Sequence, residues 1–447
     1  MESLHELVSL LQDPAAVQKI LAGELAHIMG EGGTLHTLTV DYFRQSHTRV
    51  SIQYTLDLED GRGTRAPQVL TVAHFTDGRT EQLWQHFSVD APDASERSGP
   101  FGLPGAWYSV NLRAIVQAFP FDFRLPGLRR VAAGAPAIRS LLEEAGTVPP
   151  AEPWQADVVR YRPDMRAMAK IALDAQGADG RRQHVYAKVY RDGDEGQRAF
   201  DLLRALDASG RSHGGFRVPQ PLAYEPELRT LLISEVVGTR LLDIVRANGD
   251  DRAPGAVRGA ARAVAAMHDA SVPPSLLPAV SHSKDAQFAE VADRLEQSYP
   301  DHAAAVRSVV DQISASFQPA PLRPTHYDLK QGHMLIDDDT VTIIDFDKMA
   351  LGDPLIDVAN VVATLGAERE GSARRAARRG GLADVFVDEY FQHVPADWAQ
   401  LFPAHLARAT LLEAATTGRG QRGRKGASRP EDRLVFALRR AEEALAV

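Results

Sequence analysis

The chain of 447 residues contains no cysteine. Disulfides, thiolate nucleophiles and cysteine-based metal sites are thereby excluded, and the absence suits a reducing compartment. No stretch is long and apolar enough to cross a bilayer, so no membrane partner is expected. The start, MESLHELVSL, lacks a basic segment feeding a long apolar run; no signal peptide and a cytoplasmic location are expected. An excess of basic residues is also missing. The formal net charge of -9 argues against a nucleic-acid partner and is friendlier to cationic small molecules. What remains is an ordinary composition, 44% hydrophobic and 24% charged, in a chain long enough for two or three domains.

The pattern along the chain is α+β. Residues 4–29 carry leucines and isoleucines at helical spacing, and Asp13-Pro14 marks a helix start. Strand-like runs follow at 34–40, 49–58 and 68–75, separated by turn-rich pieces. Residues 111–131 read as short helix and turn, and 132–145 as helix. No catalytic constellation stands out there, and a scaffold or capping role is expected. The proline-rich TVPPAEP (147–153) is the expected boundary. The expected division is a cap domain at 1–150, a strand-rich lobe at 151–237 and a helical lobe at 238–447.

In the strand-rich lobe, RRQHVYAKVYR (181–191) places Tyr186, Lys188 and Tyr190 on one face. A lysine inside an apolar strand can meet phosphate oxygens, or snorkel from an edge. Glu195, at the start of the next helix, either pairs with Lys188 or favours the helix N-terminus. Glu235–Val237 precede Gly238, where the chain crosses between lobes and backbone groups can read an adenine edge. In the helical lobe His268 ends an apolar-faced helix and is expected to be structural.

The stretch Thr325–Leu365 is densest in chemistry. A hairpin, MLI (334–336) and VTII (341–344), brings Asp328 near Asp345 despite their separation. Two such carboxylates suit phosphoryl transfer: one orients and deprotonates a hydroxyl, the other holds Mg²⁺ through oxygen. Asp337–Asp339 is expected to be a solvated turn. Asp353 is placed to cap the following helix, and Asp357 lies in its first turn, so both read as architectural.

Three blocks here resemble the aminoglycoside phosphotransferase and choline kinase-like family, which has a protein-kinase-like fold. They are His326-Tyr-Asp328-Leu-Lys-Gln-Gly-His333, Ile344-Asp345-Phe346, and Gly352-Asp353-Pro354-Leu-Ile-Asp357-Val-Ala359. The family pattern is H-G-D-x-x-x-x-N, I-D-[WF] and G-D-P-x-x-D-[LVI]-A, and the resemblance covers roughly 155–445. It implies a two-lobed kinase behind a helix-plus-sheet cap. Asp328 is then the catalytic base, Asp345 the principal Mg²⁺ ligand and Lys188 the contact to the ATP phosphates, with Glu195 as its partner. Glu235 and Val237 fall in the adenine-binding connector, and the turn at Pro163–Arg166 takes the place of the phosphate-covering loop. Two departures stand out: Tyr327 replaces the usual glycine, and His333 replaces the asparagine that supplies a second metal ligand. Imidazole is a poorer partner for Mg²⁺ than an oxygen donor.

The cap resembles that of maltokinases and glucosamine kinase-like enzymes in architecture only, with no shared motif. The function implied is ATP-dependent phosphorylation of a small-molecule hydroxyl, with a sugar or amino sugar as acceptor. The alternatives are an aminoglycoside phosphotransferase and a nucleotide-binding pseudokinase with a regulatory role. Asp388 and Glu389 are candidates to meet a cationic substrate, and the basic run 418–426 is expected to be a loop.

Overall fold

The structure is a computed structural model describing residues 4–30, 32–90, 95–99, 101–177, 180–247, 251–279, 283–366, 373–417 and 430–446. The basic run 418–426 lies outside them. The chain divides into two compact units. One is Met1–Gln197 with Leu222–Ser234, and the other is Arg198–Pro221 with Glu235–Val447.

The first unit holds two five-stranded sheets. In the first, Thr34–Gln45, Arg49–Glu59 and Arg65–Phe75 form an antiparallel meander, extended by Ala114–Ala118 and then Ala106–Ser109. Leu38, Val50, Ile52, Tyr54, Leu56 and Leu70 face a core shared with Leu11, Val17, Leu21 and Leu25 of the N-terminal helices. Asp13 caps the helix Pro14–Met29, accepting the N–H groups of Ala15 and Ala16. The strand Ala114–Ala118 corrects the expectation of helix and turn in that segment. All five of its residues are buried, so its sequence has no polar alternation to betray it.

In the second sheet the strands run in the order Pro221–Glu225, Thr230–Ser234, Arg182–Tyr190, Arg166–Gln176 and Asp157–Arg162. The helices Leu128–Ala132 and Pro136–Glu144, which precede the proline-rich segment, bury Leu128, Val131, Ile138 and Leu142 against Ala169, Ile171, Val185 and Leu232 of this sheet. Gly127 lies so close to the Leu228 carbonyl that a Cβ would stand 2.0 Å from its oxygen. Packing therefore joins residues from about 125 onward to the strands after 156, which explains why the first unit spans both sheets.

The second unit is mostly helical. Ala253–His268, Leu355–Gly366, Ala373–Phe391 and Trp398–Thr417 pack on one another. Ser283–Ser298, Ala303–Ser316 and Pro430–Leu445 close a core around Val306, Val309, Leu411 and Leu434. Among these helices lies a small sheet in the order Thr239–Arg240, Met334–Asp337, Thr340–Ile343. Among the described residues no helix is long and apolar enough to cross a membrane.

Candidate active site

The hairpin Met334–Ile343 forms as its alternation predicts, with Ile336 opposite Val341 and Asp337 opposite Thr340. It sets His333 before its first strand and Ile344-Asp345 after its second; the Ile344 N–H donates to the His333 carbonyl at 2.9 Å. Asp345 has φ 69°, a left-handed conformation that aspartate tolerates better than bulkier residues.

The loop carrying Asp328 is held from below by Asp357. Its fully buried carboxylate accepts the backbone N–H of His326 at 2.6 Å and of Tyr327 at 2.8 Å. His268 Nε2 donates to the same group at 3.2 Å, while His268 Nδ1 meets the Tyr390 hydroxyl at 2.9 Å. His326 is buried too. Its Nδ1 accepts the Asp328 N–H at 3.3 Å, so its Nε2–H donates to the Ile344 carbonyl at 3.0 Å. One neutral imidazole thus ties the Asp328 loop to the residue before Asp345.

Three potential ligands converge as a result: one donor atom each from Asp328, His333 and Asp345, all within 4.8 Å of one another. His333 Nε2 is 3.8 Å from an Asp345 carboxylate oxygen. Burial, with the nearby Lys330 charge, pushes the His333 imidazole down to about 4, and its Nδ1 is buried without a hydrogen-bond partner. It therefore stays neutral at physiological pH, the state in which a ring nitrogen can bind a metal. Two carboxylates and a neutral imidazole fit a divalent cation.

Asp328 faces two cations, Lys348 Nζ at 3.2 Å and Lys330 Nζ at 3.8 Å. Burial alone would raise its carboxyl, but the two lysines outweigh it and hold the group below its ordinary value. Tyr327 stands at φ 61°, which accounts for glycine as the usual residue at this position of the pattern. Its hydroxyl, pushed up to about 12 by burial, lies over Gly352.

The other expected residues sit as follows. Lys188 is buried in the strand Arg182–Tyr190, its Nζ 5.4 Å from the Tyr190 ring centroid. Glu195 lies in the first turn of the helix Gly193–His213. That place in the first turn is the one expected of it from the sequence. Glu235 and Val237 lie on the connector between Ser234 and Gly238, with Val237 exposed. Gly238 passes so close to the Ile336 carbonyl that a Cβ would stand 2.9 Å from its oxygen, which fixes the connector against the hairpin. Asp353 caps the helix Leu355–Gly366 through the Leu355 N–H at 3.0 Å and also accepts from His405 at 2.7 Å. Glu389 is committed to Arg262 and His393, at 2.9 and 3.1 Å, rather than held open for a cation.

Residues 176–399 match the profile of the phosphotransferase enzyme family. The chain belongs to that family. It is a phosphotransferase, built on the protein-kinase-like fold that its sequence implied. Among solved structures it is similar to the ADP-bound aminoglycoside phosphotransferase APH(2'')-Ib, at 13% identity over 70% of this chain and 99% of that one, with a TM-score of 0.43. It is similar to the amicoumacin kinase hAmiN in complex with AMP-PNP, Ca²⁺ and Ami, at 12% identity over 69% and 93% of the two chains, with a TM-score of 0.44. A choline/ethanolamine kinase family protein from Mesorhizobium loti matches at 12% identity over 71% and 94%, with a TM-score of 0.42. No curated protein matches the chain.

In this phosphotransferase, sequence reasoning located Asp328, His333 and Asp345 but missed what surrounds them. Lys348 follows Asp345 by three residues in a short 3-10 turn, Phe346–Lys348, and nothing in the DFDK run marks it as a neighbour of Asp328. The hold of Asp357 on two backbone N–H groups was likewise hidden, because its partners lie some thirty residues upstream.

Proposed function

We propose that this phosphotransferase transfers the γ-phosphoryl group of ATP to a hydroxyl of a small molecule, a sugar or amino sugar. The observation that carries the proposal is the convergence of Asp328, His333 and Asp345 on one spot beside a fixed hairpin. Asp328 is the group that orients the acceptor hydroxyl and takes its proton. Lys348 and Lys330 keep it ionised and therefore able to accept that hydrogen bond. Asp345, with His333 and one oxygen of Asp328, would hold a divalent cation, Mg²⁺ in this reading. A bound cation supplies charge neutralisation to the phosphate oxygens. Lys188 would contact the α- and β-phosphates, and the connector Glu235–Val237 would receive the adenine. Glu195 would pair with Lys188 or favour the helix N-terminus.

The sugar or amino sugar acceptor rests on the helix-plus-sheet region ahead of residue 150, which resembles the cap of maltokinases and glucosamine kinases in architecture. The division into cap, strand-rich lobe and helical lobe belongs to the same reading. The experiment is a screen of ATP consumption against sugars, amino sugars and aminoglycosides, with product mass confirming the added phosphate. Turnover of a sugar or amino sugar is expected. Turnover of aminoglycosides alone would transfer the assignment to that class, and consumption that no hydroxyl compound stimulates would overturn it.

A further inference from the structure

A cavity of about 290 Å³ lies within the first unit; of its lining residues Asp164 belongs to the turn Pro163–Arg166, and none is among Asp328, His333, Asp345 and Lys188. Its apolar walls include Phe75, Phe87 and Phe123. The rings of Phe87 and Phe123 stack at 4.9 Å with 29° between their planes. Phe121 meets Phe123 edge-on at the same separation, which keeps the Phe123 ring in place.

The polar groups lining this cavity are mostly hydrogen-bond donors. Gln117 comes from the buried strand Ala114–Ala118 and is 1% exposed. Its Oε1 accepts the Phe123 N–H at 2.8 Å, which fixes the amide so that Nε2 is the donor. That NH₂ makes no hydrogen bond among the described residues. Arg49 spends Nη2 on Asp164, at 2.7 Å, with its guanidinium carbon 5.0 Å from the Phe75 ring centroid. Its Nε is buried without a partner. Arg124, exposed at the cavity wall, makes no ion pair among the described residues. The carboxylate present, Asp164, accepts from Arg49 and from the Ser51 hydroxyl at 3.3 Å. Among the side chains that line the cavity, two are guanidinium groups and one is a carboxylate.

A buried guanidinium N–H with nothing to bind, as at Arg49 Nε, costs free energy comparable to a lost hydrogen bond, unless something fills the space. Stacked aromatic rings offer a flat apolar face. We infer that this cavity is a binding site for a small acid with a flat apolar body. Its carboxylate or other oxyanion would accept from Gln117 Nε2 and lie against Arg124 and Arg49, while its body stacks on Phe87 and Phe123. A neutral sugar fits less well, because its hydroxyls need acceptors as well as donors and the carboxylate here is already engaged.

The test uses the full chain with benzoate as probe and benzamide as its neutral counterpart, measured by calorimetry or ligand-observed NMR. Saturable benzoate binding is expected, with benzamide roughly tenfold weaker or more, the difference a charged hydrogen bond makes. Gln117→Leu and Arg124→Gln should each weaken benzoate several-fold. Arg124 is exposed, so its variant keeps the fold even if the buried Gln117 substitution does not. Benzoate binding unchanged in Arg124→Gln and in a folded Gln117→Leu would overturn the inference. So would benzamide or glucose binding as tightly as benzoate, or no saturable binding of benzoate, phenylacetate or phenyl phosphate at roughly millimolar concentration.

Discussion

Tyr327 and Gly352 interlock. A Cβ placed on Gly352 would stand 1.7 Å from the Tyr327 hydroxyl oxygen and 2.4 Å from the ring carbon that bears it. The backbone of Gly352 is not left-handed, so alanine is excluded there by the tyrosine and not by its own torsions. Gly352→Ala should cost about 1–3 kcal/mol, the usual penalty for overfilling a packed site. In a Tyr327→Gly background the same substitution should be nearly neutral, because the obstructing ring is gone. The coupling, read from urea unfolding midpoints of the four variants, should reach about 1 kcal/mol or more. An equal cost for Gly352→Ala in both backgrounds would sink the interlock.

Asp357 supports the site without touching it. Its buried carboxylate accepts two backbone N–H groups and one imidazole N–H. Asp357→Ala leaves those donors without a partner and should destabilise the second unit by roughly 3–5 kcal/mol. Asp357→Asn keeps the shape but offers one acceptor oxygen and a competing NH₂, so the His326-Tyr327 turn loses part of its anchor. The turnover number should fall more than tenfold in Asp357→Asn while KM for ATP stays within about twofold, as expected when positioning of the base is lost. Unchanged turnover in a folded Asp357→Asn would show that the turn holds its shape without this carboxylate.

These two relationships mark the limit of what the sequence reveals. The hairpin was legible because Met334–Asp337 and Thr340–Ile343 flank a polar turn, and a period of two reads directly into geometry. The convergence of Asp328 with Asp345 followed from that hairpin alone. Tyr327 was legible as a departure from the family pattern, but not its contact with Gly352, which depends on how the strands Arg323–Thr325 and Ala350–Gly352 pair. The strand Ala114–Ala118 was illegible because burial on both faces erases alternation. The helices Leu128–Ala132 and Pro136–Glu144 were read with the preceding domain, since a proline-rich segment marks a break between elements and says nothing of which sheet a helix packs on.

On the proposed mechanism Asp328→Asn removes the proton acceptor, keeps one oxygen for the cation, and leaves Lys188 and the connector Glu235–Val237 as they are. Phosphoryl transfer should fall by about 10²–10⁴-fold, with ATP affinity, measured by calorimetry, within about threefold of the unsubstituted enzyme. Near-full activity would remove Asp328 from the base role.

His333 offers a nitrogen where the family pattern has an amide oxygen. Nitrogen donors suit Mn²⁺ better than Mg²⁺, which prefers oxygen. His333→Asn should therefore lower the Mg²⁺ concentration needed for half-maximal activity relative to that for Mn²⁺, by several-fold. The titration is read at constant ATP with each metal in turn. The same ratio in both proteins would place His333 outside the metal site.

Asp122 gives the first unit a pH dependence of its own. It is 3% exposed and accepts from the Tyr161 hydroxyl and the Asp164 N–H, both at 2.9 Å, and from the Arg124 N–H at 2.8 Å. Burial, reinforced by the Asp164 charge, raises its carboxyl to about 6 against these hydrogen bonds. Arg49 Nη2 pairs with Asp164 at 2.7 Å. A carboxyl raised on folding binds its proton more tightly in the folded state. Its contribution is fully present below about pH 4 and is lost as pH rises through about 6. The size is on the order of 3 kcal/mol across that window. The midpoint of unfolding for the first unit should therefore decline between pH 4.5 and 7, by more in the unsubstituted protein than in Asp122→Asn, whose amide does not titrate (pH values chosen at about the edges of the window). Subtracting one profile from the other removes every other titrating group. Parallel profiles would mean that Asp122 keeps its ordinary ionisation in the folded chain.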